Sequence, residues 1–418
     1  MSSINIKSIG PLKNTGLVPL STVLLIIGRQ SSGKSTFMKI LCFCRWLEKL
    51  IMISEEDIIP QYTHNLKFLN DLKAFHRMND SFFSSKSEII YEGDTISIYL
   101  KGNSSNAKII RKPDFMDRRY NTKLSFIPSE RNLVSAIHNV DKVYRSSERD
   151  VLFNFLFEWD EARSPYTSGN PLHLSVSNNM EYVNDGGIDM IHSLETDLSF
   201  SPFFASSGIQ SVMPIDVMAD YFTSLVGKRA NMSKHDLTNK VLQIFTKSIE
   251  LKRNTVSEEN AREIKQQLLN IQDRIVYQSV QLFIEEPEQN LYPDSQKLLL
   301  MQLIKLIAKA KVKGKRNSIL AMTTHSPYIL STLNVLIAES SAMRAVKGTD
   351  KESKLKTLVK DDVLLPFNEF SAYYIKDNGT LDNILDKELS MVSGVELDGV
   401  SDWVDEKIAM INSILYGE

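Results

Sequence analysis

The chain has 418 residues, 42% hydrophobic and 24% charged, with 49 Lys and Arg against 51 Asp and Glu and a net charge of -2. This composition excludes a chain disordered over most of its length. It also offers no polycationic footprint for non-specific nucleic-acid binding, so any DNA or RNA contact must be a local patch or come through a partner. No apolar run reaches membrane-spanning length and no signal-peptide pattern opens the chain, so a cytoplasmic protein is expected, with two or three structural units or one large fold with insertions.

Ile4, Ile6 and Ile9 alternate with polar residues ahead of Gly10 and Pro11, the pattern of a short edge strand, and residues 23–27 form an apolar strand. The sequence G-R-Q-S-S-G-K-S-T comes next at 28–36, and an apolar-rich helical stretch succeeds it. Strand, glycine loop and helix are the context a phosphate-binding loop requires. Gly28 and Gly33 let successive N–H groups turn toward phosphate oxygens, while the helix presents the positive end of its dipole. Gly28, Arg29, Gln30, Ser31, Ser32, Gly33, Lys34, Ser35 and Thr36 are therefore the expected nucleotide-binding set. Lys34 would neutralise the β- and γ-phosphates, and the Ser35 hydroxyl would hold Mg²⁺. A glycine turn that merely joined strand to helix would explain neither side chain. Cys42 and Cys44, two apart on the helix, point in different directions and fit buried packing in a reducing compartment better than a disulfide or metal site.

Residues 47–73 read as helical, 88–101 as a hairpin turning at Glu92, Gly93 and Asp94, and 108–111 as an added strand. A short apolar strand from residue 124 stops at Pro128. Polar groups just beyond a strand's carboxyl end meet ligands in open α/β sheets, so Ser129, Glu130 and Arg131 are candidates for the γ-phosphate or attacking water. A strand-to-helix turn capped by Ser129 is the equal alternative. Residues 133–164 are helical in pattern, and three short β runs fall within 172–192. Ser206, Ser207 and Gly208 then open a helix bearing Ile209, Val212 and Met213. An ordinary serine cap is the plain reading, and a second anion site the sharper one. Residues 217–275 are mostly helical and polar, a hairpin or lobe rather than a long coiled coil.

An apolar strand at 280–284 runs into E-E-P-E-Q-N-L-Y-P at 285–293. Acids at the end of a core strand are costly to bury unless a metal or proton accounts for them. Glu285 is the expected Mg²⁺-side carboxylate and Glu286 the expected general base. A third strand, 318–324, ends at His325, where a hydrogen bond to the γ-phosphate is expected.

In this order the segments resemble the ABC-type ATPase head shared by chromosome-maintenance proteins, double-strand-break repair ATPases and the overcoming-lysogenization-defect (OLD) family. Residues 28–36 resemble the Walker A motif, 129–131 fall at the Q-loop region, and 206–211 resemble the signature motif. Residues 284–293 resemble Walker B with the D-loop, and His325 matches the switch histidine. The signature and Walker B runs are most similar to stand-alone AAA-type ATPases of bacterial antiphage defence. The resemblance implies an α/β P-loop NTPase head with an antiparallel β subdomain and a helical lobe inserted between signature and Walker B. It divides the chain at 1–132, 133–275, 276–335 and 336–418, the last holding closing strands and a terminal helix over 401–415. It implies ATP and Mg²⁺ as ligands, and Glu286 and His325 as catalytic residues. It implies a homodimer or higher homo-oligomer in which Ser206, Ser207, Gly208 and Gln210 of one copy touch ATP held by the other. A separate effector, a nuclease or toxin, is the implied partner, with nucleic acid left open and no membrane.

Three departures matter: Glu285 stands where most ABC proteins have Asp, no Gln occupies the Q-loop place, and the signature lacks its second glycine. Slow hydrolysis is therefore expected. A nucleotide-gated scaffold with negligible turnover is one alternative. A DNA-repair ATPase using Lys309, Lys311, Lys313, Lys315 and Arg316 is another, although such a run is more ordinarily a solvated helix end.

Overall fold

The computed structural model describes residues 2–54, 56–136, 150–177, 179–230, 275–359, 365–394 and 407–410. Strands β1 (Ser3–Ile9), β2 (Leu12–Asn14) and β3 (Val18–Pro19) precede β4 (Val23–Gly28) and helix α1 (Lys34–Ile53). Helix α2 (Lys67–His76) and strands β5 (Phe83–Glu92), β6 (Ile96–Lys101), β7 (Lys108–Arg111) and β8 (Asn121–Ile127) come next. Helix α3 (Val151–Arg163) leads to β9 (Leu172–His173), β10 (Met180–Asp185), β11 (Ile188–Ser193), β12 (Leu198–Phe200) and helix α4 (Ser207–Ser224). Then come β13 (Tyr277–Glu285), α5 (Pro293–Lys313), β14 (Ile319–Thr324), α6 (Pro327–Ala345), β15 (Phe370–Ile375) and β16 (Leu381–Asn383).

The central sheet runs β16-β15-β4-β14-β13-β8, parallel throughout except for β16. β4 is apolar along its length because both faces of a parallel sheet are covered. Val23, Leu25 and Ile27 enter one core with Phe155, Trp159, Val212, Phe222, Leu299 and Leu333 of α3 to α6. Leu24 and Ile26 enter the other with Phe37, Leu41 and Leu47 of α1, the alternation arising from the two-residue period of a strand. Each such fully buried aliphatic side chain stabilises the fold by about 1.5–3 kcal/mol.

Helix α1 lies between the central sheet and a second, antiparallel sheet ordered β2-β1-β5-β6-β7, with β3 also paired to β1. Ile4, Ile6, Ile89 and Ile98 of that sheet share the α1 core. The hairpin read at 88–101 is β5 and β6, with Glu88 opposite Lys101. A third antiparallel sheet, β12-β11-β10-β9, packs Tyr182 against Trp159 and Tyr166. Cys42 and Cys44 are buried free thiols, and burial pushes the pKa of each upward.

The fold differs from the sequence reading at 47–73. The helical pattern at 47–73 breaks at Ser54, whose N–H and hydroxyl both donate to the Leu50 carbonyl and close α1. A single helical turn, Ile59–Tyr62, intervenes before α2 begins after Leu66, which takes the left-handed φ of 54°. Phe370–Ile375 pairs in parallel directly beside β4. Residues 231–274 of the lobe expected over 217–275, residues 137–149 and most of the expected terminal helix lie outside the described residues.

One consequence of this topology positions the site. β14 sits between β4 and β13, and all three run the same way. Gly28, Glu285 and Thr324 therefore end on one edge of the sheet, where open α/β folds meet their ligands.

Candidate nucleotide-binding site

Beyond β4 the chain turns through Ser31 (φ 60°) and Gly33 (φ 109°) before α1 begins at Lys34. The backbone at Gly33 is one that side-chain-bearing residues rarely adopt, and a Cβ there would meet Leu12 at 2.9 Å. Gly28 has no room either, since its Cβ would lie 2.7 Å from the Ser32 hydroxyl oxygen and 3.0 Å from the Ile375 carbonyl oxygen. No side chain caps α1, which leaves its first N–H groups facing the loop. Arg29 and Gln30 are exposed, with Arg29 paired to Asp377 at 3.1 Å, while Thr36 is buried in the first turn.

Lys34 is 5% exposed and its Nζ donates to the carbonyls of Gly28 and Arg29, each at 2.8 Å. Burial lowers its pKa, and the nearby charges of Glu286 and Glu288 partly offset this. The ammonium of the loop therefore stands within the field of acids that end β13.

Glu285 is 4% exposed. Burial raises its pKa, opposed by Lys39, by the Ser35 hydroxyl and by the Ser129 N–H, while the charge of Glu130 adds to the rise. Its Oε1 is buried without a hydrogen-bond partner. A carboxylate oxygen so placed, beside a serine hydroxyl, suits a hard divalent cation such as Mg²⁺, which takes few protein ligands and fills its octahedron with phosphate oxygens and waters. Ser35 and Glu285 thus fit the metal they were expected to hold.

Glu286 takes φ 45°, a left-handed conformation that costs a residue with a Cβ about 1–2 kcal/mol. Its N–H donates to the Thr323 carbonyl of β14 at 3.0 Å. The kink leaves its carboxylate part-exposed, with Oε1 3.9 Å from His325 Nδ1. Glu288, which the sequence reading did not single out, is the third acid of the group. Its Oε1 accepts from the Thr324 hydroxyl at 2.7 Å and the His325 N–H at 2.9 Å, and lies 3.5 Å from His325 Nδ1. The E-E-P-E spacing was the available signal for it. His325 itself is exposed at the end of β14.

Of the Q-loop candidates, Arg131 is turned away from any ligand. It is fully buried, and its guanidinium donates to the carbonyls of Pro128, Ser211, Glu285 and Glu286. The reason is local: Ser129–Asn132 forms a 3-10 turn that points this side chain back under β13. The hydroxyl of Ser129 donates to its neighbour Glu130 at 3.1 Å.

Ser206 caps α4, its Oγ accepting from the Ile209 N–H at 3.4 Å. Ser206 and Ser207 are exposed, and Gln210 Nε2 donates to the carbonyls of Pro202 and Phe203. Gly208 lies against the segment that follows Glu288, where an added Cβ would be 3.1 Å from the Asn290 carbonyl oxygen. In the basic run, Lys311 pairs with Glu369, Lys313 donates to the Ser224 carbonyl at 3.2 Å, and Arg316 lies over the Tyr120 ring at 5.2 Å.

No protein-family model matches the chain, and no curated protein matches it. Among solved structures it is similar to the SMC head domain from Thermotoga maritima, at 10% identity and TM-score 0.37, over 91% of this chain and 97% of that one. It is also similar to an Smc head domain with an extended coiled coil bound to the C-terminal domain of ScpA, from Pyrococcus furiosus, at 8% identity and TM-score 0.36, over 97% and 99%. An ATP-binding cassette in a dimeric post-hydrolysis state with ADP and Pi matches at 11% identity and TM-score 0.31, over 91% and 98%. The chemistry of the site rests on its own geometry.

Proposed function

We propose that the chain is an ABC-type ATPase that binds Mg²⁺-ATP at the carboxyl edge of its central sheet. The observation that carries this is the meeting of Ser35 with Glu285, whose Oε1 is buried and unpartnered, within a glycine loop that holds Lys34 beside Glu286 and Glu288. The backbone N–H groups of 28–36 and the Lys34 ammonium would hold the β- and γ-phosphates, and Ser35 and Glu285 would hold Mg²⁺. The metal, when bound, supplies neutralisation of phosphate charge. Glu286 takes the proton of the attacking water as its oxygen bonds to the γ-phosphorus and the bridging P–O bond breaks. His325, close to Glu286 and Glu288, orients the γ-phosphate and the water.

Two copies would face each other, with Ser206, Ser207, Gly208 and Gln210 of each completing the other's site. The exposure of Ser206 and Ser207 at the start of α4 supports this. We further assign to the ATP state the control of a partner effector, a nuclease or toxin, in antiphage defence. The support for it is the resemblance of the signature and Walker B runs to stand-alone defence ATPases. The Q-loop place holds Ser129 and Glu130 beside Glu285 and no glutamine, which favours slow turnover and a cycle governed by binding.

The test uses the full chain with Lys34→Ala and Glu286→Gln. Lys34→Ala should lose binding of a fluorescent ATP analogue. Glu286→Gln should bind it, turn over about 10²–10⁴-fold more slowly, and accumulate as a dimer by light scattering. Unchanged ATPase rates in both variants would remove the proposal.

A further inference from the structure

Arg131 is the largest fully buried side chain among the described residues. Its four acceptors are all main-chain carbonyls: Ser211 at 2.9 Å from Nε, Glu285 at 2.7 Å and Pro128 at 3.3 Å from one terminal nitrogen, and Glu286 at 2.7 Å from the other. Burial lowers its pKa to about 10, with the charges of Glu288, Glu286 and Glu285 opposing the shift, so it stays a cation at neutral pH. A buried cation is costly where an apolar side chain of equal volume would fill the space. What a guanidinium adds is a rigid planar fork that fixes several acceptors at once.

The acceptors come from three separate segments, and beside one of them α4 is interrupted by a proline. Pro214 lies inside α4 and has no N–H to give the Gln210 carbonyl, which accepts from the Ser135 hydroxyl at 3.4 Å instead. The next carbonyl, Ser211, accepts from Arg131. At the other end of the fork, the Glu286 peptide is bracketed. Its N–H is tied to β14 through Thr323, and its carbonyl is tied to Arg131. The left-handed kink at Glu286 persists because both sides are held. A second contact runs alongside, from Asn290 Nδ2 to the Ser211 hydroxyl at 2.9 Å.

We propose that Arg131 is a positioning residue that ties the signature helix α4 to the Glu286 peptide, so that whatever docks on Ser206, Ser207 and Gly208 re-aims the general base. The proposal deepens, and rests on, the reading of Glu286 as that base. A shift of α4 moves the Ser211 carbonyl, the guanidinium moves with it, and the Glu286 carbonyl turns about the fixed N–H. Binding at the exposed end of one helix thereby sets the direction of a carboxylate on the central sheet.

The test compares full-length wild type with Arg131→Lys and Arg131→Ala, reading ATP affinity, kcat, thermal stability and hydrogen exchange of peptides covering 206–211 and 285–290, with and without ATPγS. In wild type the nucleotide should slow exchange in both peptides. Arg131→Lys keeps the charge but not the fork. It should hold ATP within about threefold of wild type while kcat falls about 100-fold, and 285–290 should lose its response while 206–211 keeps it. Millimolar guanidinium should restore part of kcat to Arg131→Ala without moving its melting temperature. The tie is overturned if a folded Arg131→Lys keeps wild-type kcat with both peptides responding together. It is equally overturned if affinity, kcat and stability fall in parallel, the mark of a purely structural role. A wild type that binds no ATP would sink the ATPase reading itself. In that case, unchanged joint opening of the two peptides in Arg131→Lys would separately overturn the tie.

Discussion

The two ends of helix α1 carry buried polar groups of opposite character. Near its C-terminal half, Arg45 donates to Gln281 Oε1 at 2.8 Å, to Glu48 at 3.1 Å, to Tyr91 at 3.0 Å and through both terminal nitrogens to Asp94 Oδ2 at 3.1 Å. Glu48 also accepts from Tyr91 at 2.5 Å and from the N–H and hydroxyl of Thr95 at 2.6 and 2.9 Å. At the N-terminal end, Ser32 Oγ, Glu285 Oε1, Glu288 Oε2 and Gln289 Oε1 are buried with no hydrogen-bond partner. A satisfied network locks the central sheet to the antiparallel sheet through the helix between them. Unsatisfied groups lower stability, and the four that meet at this sheet edge beside the glycine loop suit a ligand's charges.

Substitutions should separate the two regions. Arg45→Met leaves the buried Glu48 and the part-exposed Asp94 without their cation and should cost about 3–5 kcal/mol, read as a fall in the urea midpoint, with ATP affinity of the folded protein little changed. Retained stability in Arg45→Met would break the comparison from the structural side. Glu285→Gln should do the reverse. Removing a buried carboxylate with an orphaned oxygen should leave stability unchanged or raise it by about 1–3 kcal/mol. A large loss of stability there would mean that Glu285 belongs to the fold rather than to a ligand.

A smaller effect sharpens the comparison on α4. Asp216 is buried, with one oxygen accepting from the Ser175 N–H at 2.7 Å and Oδ1 unpartnered, and burial raises its pKa to about 7. Because the folded pKa lies above the unfolded value of about 3.9, its favourable contribution is fully present below that value and is lost as pH rises to about 7. Urea midpoints at pH 5 and pH 8 should therefore converge in Asp216→Asn relative to wild type. An unchanged pH dependence would show that another group carries it.

Much of the fold was legible because it is written in short-range pattern. The apolar run before Gly28, the alternation around Glu92 to Asp94 and the acids after residue 284 each mark a strand together with the turn or loop at its end. Arg131 was not legible as a buried group, because in the run S-E-R-N an arginine reads as solvent-facing. Only the convergence of carbonyls from residues 128, 211, 285 and 286 gives it an interior place. Arg45 was missed for the same reason, since its partners Asp94, Tyr120 and Gln281 come from distant strands and turns. The place of β15 beside β4 depends on sheet order, which periodicity does not encode. Glu288 needed the geometry of β14 to show that it holds the His325 N–H.

Calorimetric titration of ATP into wild type and Glu285→Gln, each with and without Mg²⁺, tests most directly whether the unpartnered edge is a nucleotide site. Wild type should bind ATP more tightly with Mg²⁺ than without, and Glu285→Gln should bind with that difference largely removed. Absence of ATP binding in wild type, or an equal Mg²⁺ effect in both proteins, would contradict the account.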